Sequence, residues 1–335
     1  MTTTLVTGGT GTVGAAVVRR FVARGDDVRV LVRSDASAAI ARDLGAEPLT
    51  GDVLDAASVR RAVAGCELVV HVAGRSGLCR ADHRAMQRLN VEGTEIVIRE
   101  AAGAGVRRVV HTSSAATLGE RAGEVGDERT PHRGRFLSRY ERSKFAAERL
   151  AFALGTALDV EVVAVNPASI QGPGRTGGSA RLVLDLIGGR IPILVDTWVS
   201  LVDVEDCAAG HLLAAERGAP GERYVLSGAA VTLRDVVATL RRLWGSPEHA
   251  RFAPRSVARA IGLPAGAAGS VLARATGRSV RICAESVTTL LHGHRYDGSR
   301  ATRDLGLAYA PLEDTLRRAL AWYAERGLIP PSRLG

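Results

Sequence analysis

Apolar residues follow two alternating rhythms along this chain. Short, nearly continuous runs at Thr3–Thr7, Val28–Val32, Leu68–Val72, Val109–Thr112 and Val160–Val165 are rich in β-branched residues. Strands that read this way are buried on both faces. Between them, apolar positions recur at three- and four-residue spacing. Gly14–Arg24 offers Ala15, Val18, Phe21 and Val22 to one face, and Ala56–Ala64, Met86–Ala102 and Arg139–Ala153 read as further helices. Strand and helix in alternation predict an α/β protein on a doubly wound parallel sheet.

The texture changes after Asn166-Pro167. Gln171–Gly178 is rich in glycine and reads as a loop. Leu182–Leu186 looks helical, Val199–Val204 and Arg223–Leu226 read as strands, and Asp206–Glu216 as a helix. From Leu233 the pattern is mostly helical, closing with Leu312–Arg326. The expected division is a dinucleotide-binding Rossmann domain over residues 1–170, with return strands and a helix from about 194–228. A smaller, helix-rich C-terminal substrate subdomain takes 171–193 and 229–335.

Composition narrows the class. The 335 residues are 46% apolar and 24% charged, as in a globular protein able to bury its own core. No uninterrupted apolar run approaches the ~18 residues of a membrane span, and stable membrane insertion is not expected. The opening Met1-Thr-Thr-Thr-Leu5 has no basic region, which argues against a secretory leader. Cys66, Cys79, Cys207 and Cys283 are widely spaced with no Cys-x-x-Cys, so neither a disulfide framework nor a metal site is expected, and a cytoplasmic location fits.

The net charge is +9, yet 43 of the 44 basic residues are arginine and Lys144 is the sole lysine. From Arg251 to Arg303 nine arginines face two acids, Glu285 and Asp297. Such a segment attracts an anionic substrate, a membrane surface or nucleic acid, or is simply a solvated face. Without aromatic interleaving or a nucleic-acid motif, no nucleic-acid partner is expected.

The strand Thr3–Thr7 runs into Gly8-Gly9-Thr10-Gly11-Thr12-Val13-Gly14, and a helix follows. Gly8 suits the tight turn, Gly11 a close approach to a pyrophosphate, and Gly14 close helix–sheet packing, with the helix N-terminus facing the phosphates. This context makes Gly8, Thr10, Gly11, Thr12, Val13 and Gly14 candidate dinucleotide contacts. After the second strand stands Arg33, where an acid would bind the 2′-hydroxyl of NAD. An arginine there suits a 2′-phosphate and favours NADP(H) over NAD(H).

Tyr140 and Lys144 lie four residues apart, one turn along one helix face. Five tyrosines among 335 residues give the sole lysine about a 1.5% chance of that spacing. A neighbouring ammonium favours a phenolate and makes Tyr140 a usable acid or base. Upstream, Ser113-Ser114 ends the run Val109–Thr112, where the carboxyl ends of strands face the ligand crevice.

These elements resemble the extended short-chain dehydrogenase/reductase superfamily. The likeness rests on Thr7–Gly14, Asp52-Val53, His71-Val72-Ala73-Gly74, Asn90-x-x-Gly93-Thr94, Ser113-Ser114 and Tyr140-x-x-x-Lys144. Within it the chain resembles the dihydroflavonol-4-reductase-like branch, and is similar to proteins described as hopanoid-associated sugar epimerases through Tyr140–Lys144, Asn166-Pro167, Val195–Thr197 and Gly221–Tyr224. The resemblance implies that Ser114 holds a carbonyl, Tyr140 donates the proton, and Lys144 binds the nicotinamide ribose and lowers the Tyr140 pKa. It implies adenine contacts from Asp52 and Val53, a cofactor lining from Val72, Ala73 and Gly74, and Pro167 beside the nicotinamide. A homodimer through two helices of the sheet domain is common in the family. His71 reads as strand packing, and Asn90 either orders the site or satisfies backbone groups.

Three positions bear on the substrate. Nucleotide-sugar enzymes of the superfamily carry Arg and Asn where this chain has Asn166 and Ser169. Dehydratases carry an acidic pair where it has Ala115-Ala116. Asp203 stands where the family often has His, without explanation from the sequence. The expected activity is hydride transfer between NADPH and the carbonyl of a small organic molecule. The alternatives are an NAD-dependent nucleotide-sugar epimerase and a non-enzymatic dinucleotide sensor.

Overall fold

In the computed structural model, which describes residues 2–79, 82–191, 193–247, 250–280 and 282–332, the alternation becomes a seven-stranded sheet. Six strands follow in sequence: β1 (Thr3–Thr7), β2 (Asp27–Val32), β3 (Glu47–Thr50), β4 (Leu68–His71), β5 (Arg108–Thr112) and β6 (Glu161–Pro167). The chain then builds β7 (Ser169–Gln171), β8 (Ile193–Val195) and β9 (Trp198–Asp203) elsewhere before returning with β10 (Arg223–Leu226). The order across the sheet is β10-β6-β5-β4-β1-β2-β3, every pair parallel.

The period of two sends alternate residues to opposite faces. Val6, Val30, Val70, Val110 and Val163 meet one helical layer, of α1 (Thr12–Arg24), α2 (Asp35–Asp43) and, later in the chain, α8. Leu5, Leu31, Val69, Val109 and Val162 meet the other, where α3 (Ala56–Val63) and α5 (Gly93–Gly103) pack beside α6 (Arg139–Leu158). The short α4 (His83–Gln87) precedes α5. Phe21 of α1 is fully buried, and its truncation to Ala would cost about 3–5 kcal/mol.

After β6 come α7 (Ala180–Ile187), α8 (Val204–Arg217), β11 (Ala229–Thr232), α9 (Leu233–Trp244), β12 (Arg251–Ala253), α10 (Arg255–Thr276), α11 (Ala284–His292) and α12 (Leu312–Glu325). A separate apolar cluster joins α7, α9 and α12, with Leu186, Leu240 and Tyr323 at its centre.

Two expectations need correction, and two further features were not foreseen. Of the segment about 194–228, only β10 and α8 join the central sheet domain; β9 lies between β7 and β11, and β8 pairs with β12. A β-branched run marks a strand but not its partner. Edge strand β3 carries Pro48 and only partly buried side chains, and so was not legible as an apolar run. Cys79 and Cys283, 204 residues apart, form a disulfide with Cα atoms 5.4 Å apart. Distance along the chain says nothing of distance in the fold, and cysteine usage no longer argues for a reducing compartment. Finally, α10 is by length and composition apolar enough to cross a membrane, although arginine, glycine and proline break its apolar run.

Candidate active site

All the candidate site residues lie at the carboxyl ends of the central strands or on α6 beside them. Gly8–Gly14 leave β1, Arg33 follows β2, Asp52 and Val53 follow β3, and Val72–Gly74 follow β4. Ser114 lies just beyond β5, and Pro167 ends β6. This is the edge at which open α/β sheets bind ligands.

The turn after β1 is shaped for a diphosphate. Gly8 adopts φ +71°, and a Cβ there would sit 2.7 Å from the Ala73 amide nitrogen. A Cβ on Gly14 would sit 2.0 Å from the Gly8 carbonyl oxygen. Neither position has room for a side chain. The Gly11 N-cap leaves the first turn of α1 without a side-chain cap or an acidic residue. Free N–H groups and the positive end of the helix dipole therefore face the space where a pyrophosphate fits. Thr12 Oγ1 donates to the Gly174 carbonyl at 2.8 Å, fixing the following glycine loop over this turn. The residues present fit a dinucleotide.

Arg33 is 75% exposed, with Nη1 4.0 Å from Asp52 Oδ2. Its side chain is thus free to meet a charged group on the adenosine ribose. Val53 is buried in the core between the sheet and α5. Pro167 is buried, and Ala73 is half-buried beside Gly8.

The catalytic side chains converge as the spacing requires. Ser138 caps α6, its hydroxyl accepting from the Glu141 amide, and Tyr140 and Lys144 follow one turn apart. Ser114 caps a short 3-10 helix over Ala115–Leu118 and is 8% exposed. Tyr140 is half-buried, with the Ser114 hydroxyl in hydrogen-bonding contact. Burial lifts its phenol above the ordinary value near 10, while Ser114 and Arg175 pull it back. Lys144 is buried, and burial lowers its ammonium to about 8 against the opposing pull of Glu148. Its Nζ donates to the Thr112 carbonyl at 2.6 Å. One of the Lys144 donors thus holds a backbone carbonyl, and burial is the largest influence on the Tyr140 phenol.

Asn90 performs both of the roles left open by the sequence. Its Oδ1 accepts from the Arg75 amide at 2.7 Å, and its Nδ2 donates to Arg75 O and Ser143 Oγ at 3.0 and 2.9 Å. It thereby clamps the loop after β4 to α6. It stands in a π-helical turn over Arg88–Glu92, a distortion frequent at functional sites. A Cβ on Gly74 would lie 3.3 Å from Asn90 Oδ1 and 3.7 Å from Lys144 Nζ, so the cofactor loop and catalytic helix meet there. His71 is structural: Nδ1 and Nε2 bond the hydroxyls of Thr7 and Thr94 at 2.7 and 3.1 Å, and burial lowers its pKa to about 3.

Sequence reasoning missed the group behind Ser114. Buried Glu148 accepts from Thr117 Oγ1, Asn166 Nδ2 and Arg223 Nη1, and Asn166 Nδ2 also reaches the Ser114 carbonyl at 3.2 Å. Glu148 follows Lys144 by four residues, the spacing that singled out Tyr140, so the signal was present. Asp203 also gains an explanation. It caps α8 through the Glu205 amide and binds Arg318 of α12. Glu120, His292 and His294 gather near α11, but Glu120 Oε1 and the Tyr296 hydroxyl both engage His294 Nδ1.

Residues 4–227 match the family model described as the NAD dependent epimerase/dehydratase family. "Sterol demethylase protein B" of Methylococcus capsulatus is 35% identical over 332 residues, covering 98% of this chain and 100% of that protein. "Putative dihydroflavonol 4-reductase" of a Synechocystis strain is 32% identical, covering 97% of this chain and 95% of that protein. The crystal structure of gox2253 superposes with a TM-score of 0.86 at 32% identity, covering 98% of this chain and 100% of that chain.

Proposed function

The chain belongs to the NAD dependent epimerase/dehydratase family, and from that membership we propose that it is an NADPH-dependent reductase of ketones or aldehydes. The observation that carries the reading is the convergence of Ser114, just beyond β5, with Tyr140 and Lys144, one turn apart on α6. A tyrosine phenol is protonated at neutral pH, as a proton donor must be, and burial holds this one higher still.

Gly8–Gly14 would hold the diphosphate of the cofactor, Arg33 would meet its 2′-phosphate, and Gly74 and Pro167 would line the nicotinamide end of the site. When bound, the reduced nicotinamide supplies a hydride. Ser114 donates a hydrogen bond to the substrate carbonyl oxygen and fixes it near Tyr140. The Tyr140 hydroxyl would deliver its proton to that carbonyl oxygen as the carbonyl is reduced to an alcohol. The positive charge of Lys144 stabilises the tyrosinate left behind. Asn90 and the Glu148–Asn166 group position these residues.

The name of the dihydroflavonol reductase relative supports a carbonyl substrate. Asn166 supports it against a sugar nucleotide. It occupies a place where nucleotide-sugar enzymes use an anchoring arginine, yet it is fully buried and committed to Glu148 and Ser114. The family description names NAD and epimerases, which keeps a tightly held NAD as the second reading.

The test is Tyr140→Phe together with identification of any nucleotide released on denaturing the purified protein. The expected results are an NADPH-binding protein free of stoichiometric NAD, and a variant with at least ~100-fold lower turnover and unchanged NADPH affinity. Undiminished turnover in the variant overturns the mechanism; stoichiometric NAD overturns the reductase in favour of the epimerase.

A further inference from the structure

We propose that Glu120, His292 and His294 form a binding site for one divalent transition-metal ion, with zinc the best fit. The proposal stands on these side chains and is independent of the reductase reading.

Two of the ligands come from one short stretch. His292 closes α11, Gly293 follows at φ +70°, and His294 leads on to Tyr296. A Cβ on Gly293 would lie 2.2 Å from Thr197 Oγ1, so this turn admits no side chain. The His294 amide donates to the Trp198 carbonyl at 2.9 Å and fixes the turn. The two imidazoles are thereby set together, with ring centroids 5.1 Å apart. The third ligand, Glu120, stands 174 residues before His294. It follows Gly119, which ends the 3-10 helix that Ser114 caps.

The ligand atoms converge. Glu120 Oε1 is 2.7 Å from His294 Nδ1 and 3.4 Å from His292 Nε2, and all three atoms lie within 4.8 Å of one another. Around a tetrahedral zinc with bonds of about 2.0–2.1 Å, neighbouring ligand atoms stand about 3.4 Å apart. The Tyr296 hydroxyl, 2.8 Å from the same Nδ1, supplies a fourth oxygen. Two imidazoles among the donors suit zinc better than calcium or magnesium, which take oxygen ligands.

Two observations call for a cation here. The first is an incomplete set of hydrogen bonds. His292 Nε2 and Glu120 Oε2 are buried and make none among the described residues. His294 Nδ1 has one hydrogen to give and two oxygens facing it. The second is charge. The side chains of Glu120, Glu141 and Arg133 are all buried. The Arg133 guanidinium binds Glu141 directly and lies 4.0 Å from Glu120, so two carboxylates share one positive charge. Burial lowers the pKa of His132, which also faces Glu141, and keeps it neutral. A buried net negative charge is costly until a cation joins it.

Binding would send the Nδ1 proton of His294 to solvent and give its lone pair to the metal. The His294 side chain is 20% exposed, which leaves an ion a way in. With four protein atoms around it, the ion would be structural rather than open to substrate. It would tie the segment beyond Ser114 to the end of α11, whose N-cap Cys283 is already bridged to Cys79.

The test is titration of the untagged, EDTA-treated full-length protein, with Zn²⁺ alone by calorimetry and with Co²⁺ alone by visible absorption. The expected results are one Zn²⁺ per chain and the intense absorption of four-coordinate Co²⁺. Zinc at a hundredfold excess over its Kd should raise the thermal midpoint by about 5 °C. Glu120→Gln and His292→Gln should each bind zinc at least tenfold more weakly and lose that rise, with circular dichroism checking that they fold. The wild-type titration does not depend on either variant. Wild-type protein that takes up no stoichiometric zinc overturns the proposal and leaves a proton on an imidazole as the balancing charge. A folded variant that binds zinc as the wild type does also overturns it, and places the ion on other side chains.

Discussion

The Lys144 ammonium donates to the carbonyl of Thr112 at 2.6 Å, anchoring the end of β5 to α6. The same side chain thus ties the strand that delivers Ser114 to the helix that delivers Tyr140. With a pKa lowered to about 8 by burial, its charge is the part of the site most sensitive to alkaline conditions.

The expected pH profile follows from that value. The kcat/KM for NADPH should fall as pH rises through about 8, where the free enzyme loses the Lys144 proton. Lys144→Met should lower kcat/KM about 100-fold or more and abolish this alkaline limb. A wild-type profile flat to pH 9.5 would remove Lys144 charge from the mechanism.

Arg33 should decide cofactor preference. Losing a charge-assisted hydrogen bond costs about 1.5–3 kcal/mol, or roughly 10- to 100-fold in affinity. Arg33→Ala is therefore expected to weaken NADPH by that factor and leave NADH within about twofold. Equal losses, read by titrating intrinsic fluorescence, would sink the 2′-phosphate assignment.

Stability should fall on mild acidification. Burial lowers His71 from 6.5 to about 3 and His211 from 6.5 to about 4. Below pH 6.5 the unfolded chain takes up a proton at each site that the folded protein refuses. The contribution is full above pH 6.5 and is lost as pH falls toward those folded values. At about 1.4 kcal/mol per pH unit per site, the two together remove about 4 kcal/mol by pH 5. Urea unfolding at about pH 7.5 and pH 5 checks this, and an unchanged midpoint would contradict it.

The bridge between Cys79 and Cys283 predicts a thiol count. Unfolded without reductant, the protein should react with a thiol reagent at two positions, Cys66 and Cys207, and at four after reduction. Four thiols without reduction would show that the bridge is not formed in the isolated protein.

Much of this was legible in the chain. Val109–Thr112 declared a buried strand because both its neighbours in the sheet are apolar, and Tyr140 and Lys144 declared a shared face because helical geometry is local. Asp203 was opaque because its partner, Arg318, is 115 residues away. Cys79 and Cys283 were opaque for the same reason. The depth of Tyr140 was opaque because spacing reports neighbours but not burial, and burial is the largest influence on its phenol. Residues whose role is set by the next turn were readable, and those set by tertiary contact were not.

The sheet's last position belongs to β10, which pairs with β6 through Ala164↔Arg223 to Pro167↔Leu226. During synthesis, β6 leaves the ribosome long before that partner exists. Until Leu226 has emerged, the nascent N-terminal half presents a bare, aliphatic strand edge to other chains. The half that looks most self-sufficient is thus the half that most needs the rest of the polypeptide, or a chaperone, to cover it.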